Sequence, residues 1–149
     1  MKVLILEDDA ERAIAFRRES ANINPKAEVV LWQSAHKMCE DLPSHLPAAI
    51  LISLDHDLRI IDGHSEDPGS GMDVAKALSS LSPICPVIVH TSNTNASWSM
   101  VNELTHSGWR VERAGPVSMG TEWVRTVWAP MVRQLTATSK GKRITGEAE

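Results

Sequence analysis

Short apolar runs alternate with amphipathic stretches along the whole chain. Residues 3–6 form a continuous apolar run, the pattern of a strand covered on both faces. The run turns acidic at Glu7-Asp8-Asp9, where Asp8 or Asp9 can cap a helix reaching to about Asn22 on Ala10, Ala13, Ile14 and Phe16. Asn24-Pro25 breaks that helix. Residues 28–33, around Val29-Val30-Leu31-Trp32, predict a second strand. Ser34 is placed to cap a short helix carrying Ala35, Met38, Cys39 and Leu42 at helical spacing, with Pro43 and Pro47 bracketing the loop that follows. Residues 48–54, containing Ile50-Leu51-Ile52, read as the central buried strand.

From Arg59 to Gly71 the chain is polar and carries Gly63, Pro68, Gly69 and Gly71, the composition of a loop. Met72, Ala75, Leu78 and Leu81 mark a third helix ending near Ser82-Pro83, and residues 86–89 a fourth strand. Residues 95–107 predict a helix packed through Trp98, Val101 and Leu104, with Gly108 as its terminator. A weak fifth strand covers 109–113. The last helix, from Glu122 to about Leu135, turns Trp123, Val124, Val127, Trp128, Met131 and Leu135 inward and is expected to kink at Pro130. Five strands, each followed by a helix, predict an α/β, doubly wound five-stranded parallel sheet with helices on both faces. One domain over 1–135 and a flexible polar tail over 136–149 are expected.

The bulk properties fit this reading and narrow the function. The 149 residues are 42% apolar and 23% charged, an ordinary globular balance. A formal net charge of −4 speaks against a general nucleic-acid surface. Cys39 and Cys85 lack the spacing of a zinc or redox motif and read as small buried hydrophobes in a reducing compartment. The amino-terminal apolar stretch is too short for a signal peptide, and no run is long enough to cross a membrane. The expectation is a soluble cytoplasmic protein with no membrane partner.

Candidate chemistry gathers at strand ends. In open α/β sheets, ligands bind outside the carboxyl ends of the strands. The first strand ends in Glu7-Asp8-Asp9, the third in Asp55-His56-Asp57, and the fourth in His90-Thr91-Ser92-Asn93. If the three strands are neighbours, these clusters share one crevice. Carboxylates held together need a cation, and hard oxygen ligands suit Mg²⁺, with Mn²⁺ as the alternative that the histidines favour. Capping and turn roles can explain each cluster singly, but not carboxylates after two different strands. His36, His45, His64 and His106 fall in polar surroundings and read as surface residues. Gly69-Ser70-Gly71 lacks the ending of a phosphate-binding loop and reads as a hinge. The loop it closes begins at Arg59 beside the acidic cluster, where it can act as a lid, contact a substrate phosphate, or be a surface insertion.

At these residues the chain resembles the receiver domain of bacterial response regulators. Val3-Leu4-Ile5-Leu6-Glu7-Asp8-Asp9 is similar to the first strand and acidic pair, Gly71-Met72-Asp73-Val74-Ala75-Lys76-Ala77-Leu78 to the opening of the third helix, and Pro86-Val87-Ile88-Val89-His90-Thr91-Ser92 to the fourth strand with its switch hydroxyl. The resemblance covers about residues 1–135. It implies the flavodoxin-like strand order 2-1-3-4-5, Glu7, Asp8 and Asp55 around Mg²⁺, Asp55 at the phosphoacceptor position with Asp57 as its alternative, and Thr91 against the phosphoryl group. Receivers carry a Lys before the proline after the fifth strand; here Gly115 precedes Pro116, leaving Arg113 or Arg110 as substitutes. Leu54-Asp55-His56-Asp57-Leu58 and His90-Thr91-Ser92-Asn93 are foreign to ordinary receivers. They resemble a divergent receiver-like group named for cyclic-phosphate processing, which the resemblance links with nucleotide or RNA-end metabolism.

Three functions follow as expectations. One is a metal-dependent phosphate-ester site acting on a phosphate-bearing small molecule or nucleotide. In it Asp55, His56, His90 and Thr91 are the candidate catalytic residues, with His56 or His90 as general acid or base. Asp57, Arg59, Ser92 and Asn93 are the candidate substrate contacts. The second is a stand-alone phosphoacceptor receiver that repacks to bind a protein partner. The third is a degenerate receiver serving as a docking module.

Overall fold

The computed structural model describes residues 1–60, 66–115 and 117–137. The elements run β1 (Lys2–Leu6), α1 (Ala10–Ile23), β2 (Glu28–Trp32), α2 (Ala35–His45), β3 (Ala49–Leu54), α3 (Gly71–Ser79), β4 (Val87–Val89), α4 (Thr94–His106), β5 (Val111–Arg113) and α5 (122–137). All strand pairs are parallel, in the order β2-β1-β3-β4-β5. The expected doubly wound, flavodoxin-like sheet is therefore present.

Side chains of a strand alternate between faces, so each strand feeds two cores. Leu4, Leu6, Ile52, Leu54, Val87 and Val89 pack on one face with Met38 and Leu42 of α2, Val74 and Leu78 of α3, and Met100 and Leu104 of α4. Val3, Ile5, Leu51 and Ile88 pack on the other with Phe16 of α1 and Trp123, Trp128 and Val132 of α5. The same alternation puts Ser53 on the α1/α5 face, completely buried.

Two local expectations, at Pro43 and Trp98, are corrected, and the surroundings of Pro130 take a particular form. Pro43 lies inside α2 instead of starting a loop. It sits in the final turn, so the chain loses one intrahelical hydrogen bond and continues into a 3₁₀ turn at Leu46–Ala48 that begins around Pro47. Trp98 does not enter the core: it is half exposed, and α4 is buried through Ser97, Met100 and Leu104. The stress at Pro130 appears as a π-helical turn over Val124–Trp128, with Ala129 N–H donating to Val124 C=O, five residues back. A proline cannot donate to the carbonyl four residues earlier, and the widened turn spreads that mismatch over the preceding residues.

Gly108 ends α4 in the left-handed region, φ +90°, as its position suggested. Cys39 and Cys85 are free and only partly buried, and burial pushes the Cys85 thiol up to about 12, which leaves it unreactive at neutral pH. Among the described residues no helix is long and apolar enough to cross a membrane. Part of the loop expected from Arg59 (61–65), Pro116, and the tail from 138 lie outside the described residues.

Candidate functional site

Because β1, β3 and β4 are adjacent, their carboxyl ends open into one cleft of about 320 Å³. Asp8, Asp9, Arg12, Asp55, Asp57 and Thr91 are among its walls. Asp9, not Asp8, caps α1, its Oδ1 accepting from Arg12 N–H at 2.9 Å. Asp8 is thereby left to face the cleft. Asn93 caps α4 in the same way, accepting from Ala96 N–H at 3.1 Å, while its amide nitrogen donates to Asp57 Oδ2 at 3.3 Å.

Glu7 points inward and is fully buried. Its Oε1 accepts from the backbone N–H of Asp8 and of Asp9, both at 3.1 Å, and from Arg12 Nη2 at 2.8 Å. Its Oε2 meets His90 Nε2 at 3.1 Å. The His90 ring continues through Nδ1 to Ser53 Oγ at 2.6 Å, and Ser53 Oγ accepts from Trp128 Nε1 at 2.9 Å. A carboxylate only accepts and an indole N–H only donates. Trp128 therefore donates to Ser53, His90 Nε2 donates to Glu7, and one connected chain of bonds links Trp128, Ser53, His90 and Glu7. Phe16, 4.8 Å from the His90 ring centroid, and Trp123, at 6.0 Å, close off the water side. Burial alone would raise the Glu7 carboxyl. The His90 and Arg12 contacts overcome it and hold the group down at about 2.

Asp55 follows β3 directly and is 6% exposed. Its Oδ1 accepts from His56 N–H at 2.7 Å, and its Oδ2 lies 3.6 Å from Arg12 Nη2. Burial, helped by the neighbouring Glu7 charge, pushes this carboxyl up to about 6, although His90, the His56 N–H and Arg12 pull the other way. Asp57 stays on the rim, two-thirds exposed, with its Oδ1 2.7 Å from His56 Nδ1. His56 itself is not part of the cleft wall. Thr91 is 7% exposed, and its hydroxyl oxygen accepts from Asn93 N–H at 3.2 Å. Ser92 also lines the cleft. Arg59, largely exposed, bonds Asp8 Oδ2 through its backbone N–H at 2.7 Å and its Nε at 3.2 Å, and its Nη2 lies 3.6 Å from Asp9.

The cation that sequence reading overlooked is Arg12. Its Nη2 approaches Glu7, Asp8 and Asp55 at 2.8, 3.9 and 3.6 Å. A signal was available: Arg12 stands four residues after Asp8, one helical turn away. Ser53 and Trp128 were also overlooked as polar participants, since neither looks polar-active in a buried strand or an apolar helix face. Arg113 is engaged away from the acids. Its Nε donates to Ser97 Oγ at 2.8 Å, and its guanidinium carbon lies 4.3 Å over the Trp98 ring. Arg110 is likewise absent from the cleft wall.

Ligand atoms of Glu7, Asp55 and His90 lie within 4.8 Å of one another. Hard carboxylate oxygens of this kind fit a divalent cation such as Mg²⁺ or Mn²⁺. His90 fits less well, because Nε2 must hold its proton to donate to Glu7; Asp8, expected in the set, lines the cleft but is not in this close group.

Solved structures similar to the chain include receiver domains of response regulators. The chain is similar to a response regulator receiver domain from Rhodospirillum rubrum (17% identity, 94% of each chain covered, TM-score 0.60). It is also similar to the response regulator domain of Thermotoga maritima CheB (18% identity, 92% of this chain and 96% of that one, TM-score 0.59). A third is the Mn²⁺-bound form of the response regulator Rcp1 (14% identity, 89% of each, TM-score 0.58). At such identities the likeness concerns the fold. No curated protein matches the sequence. The sequence model of the cyclic-phosphate processing receiver domain matches residues 3–106, well over half of the chain, and the protein belongs to that family.

Proposed function

We propose that the cleft is a divalent-metal-dependent phosphate site acting on a cyclic or terminal nucleotide phosphate. The observation that carries this reading is one cleft of about 320 Å³ lined together by the carboxylates of Asp8 and Asp55, the Thr91 and Ser92 hydroxyls and Arg59. A cation bound by Asp8, Asp55 and Glu7 would polarise a phosphoryl oxygen and lower the pKa of a bound water. Thr91 and Ser92 donate to the remaining phosphate oxygens, and Arg59 offsets their charge.

Proton transfer falls to His56 in preference to His90. His90 is 1% exposed with both ring nitrogens engaged, which makes it a support for Glu7. His56 does not line the cleft, but its ring is bound through Nδ1 to Asp57, a wall residue, and is partly exposed, which makes it the freer imidazole beside the site. In hydrolysis of a 2′,3′-cyclic phosphate, water adds to phosphorus as one P–O(ribose) bond breaks. The water proton passes to His56, which returns it to the released ribose oxygen.

The test is incubation of the protein with Mg²⁺ and a panel of 2′,3′-cyclic nucleotides, followed by phosphorus NMR. Turnover that stops with EDTA and falls at least about a hundredfold in His56→Ala is expected. Absence of turnover on every member rejects the reading. A phosphoacceptor role is the second reading, favoured by Asp55 sitting directly after β3 beside Thr91 in a receiver fold. It predicts the mass gain of one phosphoryl group after treatment with acetyl phosphate and Mg²⁺, lost in Asp55→Asn.

A further inference from the structure

We infer that Arg12 is a resident countercation that a divalent ion must displace, so that metal loading of the cleft is an exchange of cations; this rests on the metal reading above. One nitrogen, Arg12 Nη2, converges on an oxygen from each of Glu7, Asp8 and Asp55. Glu7 and Asp55 also belong to the group of side chains whose ligand atoms are close enough to share one ion, so guanidinium and metal have overlapping places.

Two features mark the guanidinium as a replaceable occupant instead of a permanent structural pair. Only the Glu7 contact is a short hydrogen bond; those to Asp55 and Asp8 are 3.6 and 3.9 Å. In addition, Arg12 Nε is buried without a hydrogen-bond partner, a cost that a purpose-built ion pair avoids. A route out exists as well, because the side chain is 28% exposed and lines the cleft. Coulomb attraction favours the exchange: twice the charge at a metal–oxygen distance of about 2.1 Å outweighs a single, delocalised charge at hydrogen-bond distance. Against it stands the reluctance of Mg²⁺ to shed water, which makes the balance sensitive to what already fills the place.

Removing the guanidinium therefore weakens the metal-free protein and strengthens metal binding. The experiment compares wild type with Arg12→Met by calorimetric titration with Mg²⁺ and Mn²⁺ and by thermal unfolding in EDTA and in saturating Mg²⁺. Arg12→Met is expected to unfold at a lower temperature than wild type in EDTA, to gain more from Mg²⁺, and to bind the ion at least about tenfold more tightly. Equal or weaker binding by Arg12→Met, with wild type still binding, overturns the exchange and leaves the metal reading intact. Failure of both proteins to bind overturns the metal reading itself. Should Arg12→Met not fold in EDTA, folding that returns with Mg²⁺ but not with matched NaCl supports the exchange, and folding that returns with neither overturns it.

Discussion

Glu7 and His90 are 83 positions apart in the chain and meet at 3.1 Å with both side chains completely buried. β1 and β4 are not neighbours; β3 runs between them. The pair therefore bridges across the carboxyl end of β3, with Ser53 below it and Asp55 beside it. This contact explains why Glu7, nominally part of an acidic cleft, remains charged without water around it.

Replacing His90 tests that account. His90→Ala leaves a buried carboxylate short of a donor and removes a partner of the Ser53 hydroxyl. The expected loss is about 2–4 kcal/mol in urea unfolding followed by tryptophan fluorescence. His90→Gln, which retains an N–H near Glu7, should lose less. A cost below about 1 kcal/mol for the alanine variant would contradict the description of the pair as a buried support.

Acidity separates the two carboxyls. Asp55 is raised to about 6 in the fold from an ordinary 3.8, so the folded state holds a proton that the unfolded chain has released. Stability from this group is present below about 4 and is lost as pH rises through about 6, at roughly 1.4 kcal/mol per unit. Glu7 has the opposite sign: lowered to about 2 from 4.5, it contributes stability above 4.5 that disappears as pH falls toward 2. In metal-free buffer, wild type should lose about 1–3 kcal/mol between pH 4 and 6.5 relative to Asp55→Asn. Parallel pH profiles for the two proteins would show that Asp55 is not strained in this way.

Gly71 is required by close approach. A Cβ placed there would lie 1.9 Å from the Asp55 carbonyl oxygen and 2.8 Å from the Met100 methyl. Backbone cannot yield as a side-chain end can, so Gly71→Ala must push α3 away from the β3 terminus and disturb Asp55. A loss of at least about 3 kcal/mol, or failure to fold, is expected in denaturant unfolding. A cost of a few tenths would mean that α3 is not seated against β3 as described.

Arg113 provides a contrast. Held on Trp98 and Ser97 outside the acidic cleft, it is expected to be irrelevant to metal binding there. Arg113→Ala should leave the Mg²⁺ affinity within about twofold, shift Trp98 emission, and cost about 0.5–1 kcal/mol of stability. A tenfold change in Mg²⁺ affinity would return Arg113 to the place of the receiver lysine.

Much of this protein is readable along one dimension. Runs such as Val3-Leu4-Ile5-Leu6 and Ile50-Leu51-Ile52 announce buried strands, because only strands covered on both faces can be apolar at every position. The acids and hydroxyls that follow three of them pointed to the crevice, because strand termini are where a parallel sheet exposes polar groups together. Caps at Asp9, Ser34 and Asn93 were likewise local, each an oxygen serving an N–H three residues on.

What each polar side chain does there was decided by packing in three dimensions. Nothing near His90 in the sequence says that its ring bonds Ser53 and Glu7, and nothing near Trp128 says that its indole starts the same chain of bonds. Trp98 shows the converse: its spacing marked it as core, yet α4 rolls so that Met100 and Leu104 are buried and the indole meets Arg113. Periodicity tells which residues can share a face, since that depends on backbone geometry alone. Which partner fills each hydrogen bond, and which cation stands among Glu7, Asp8 and Asp55, depends on distances between segments far apart in the chain, and these exist only once the sheet has closed.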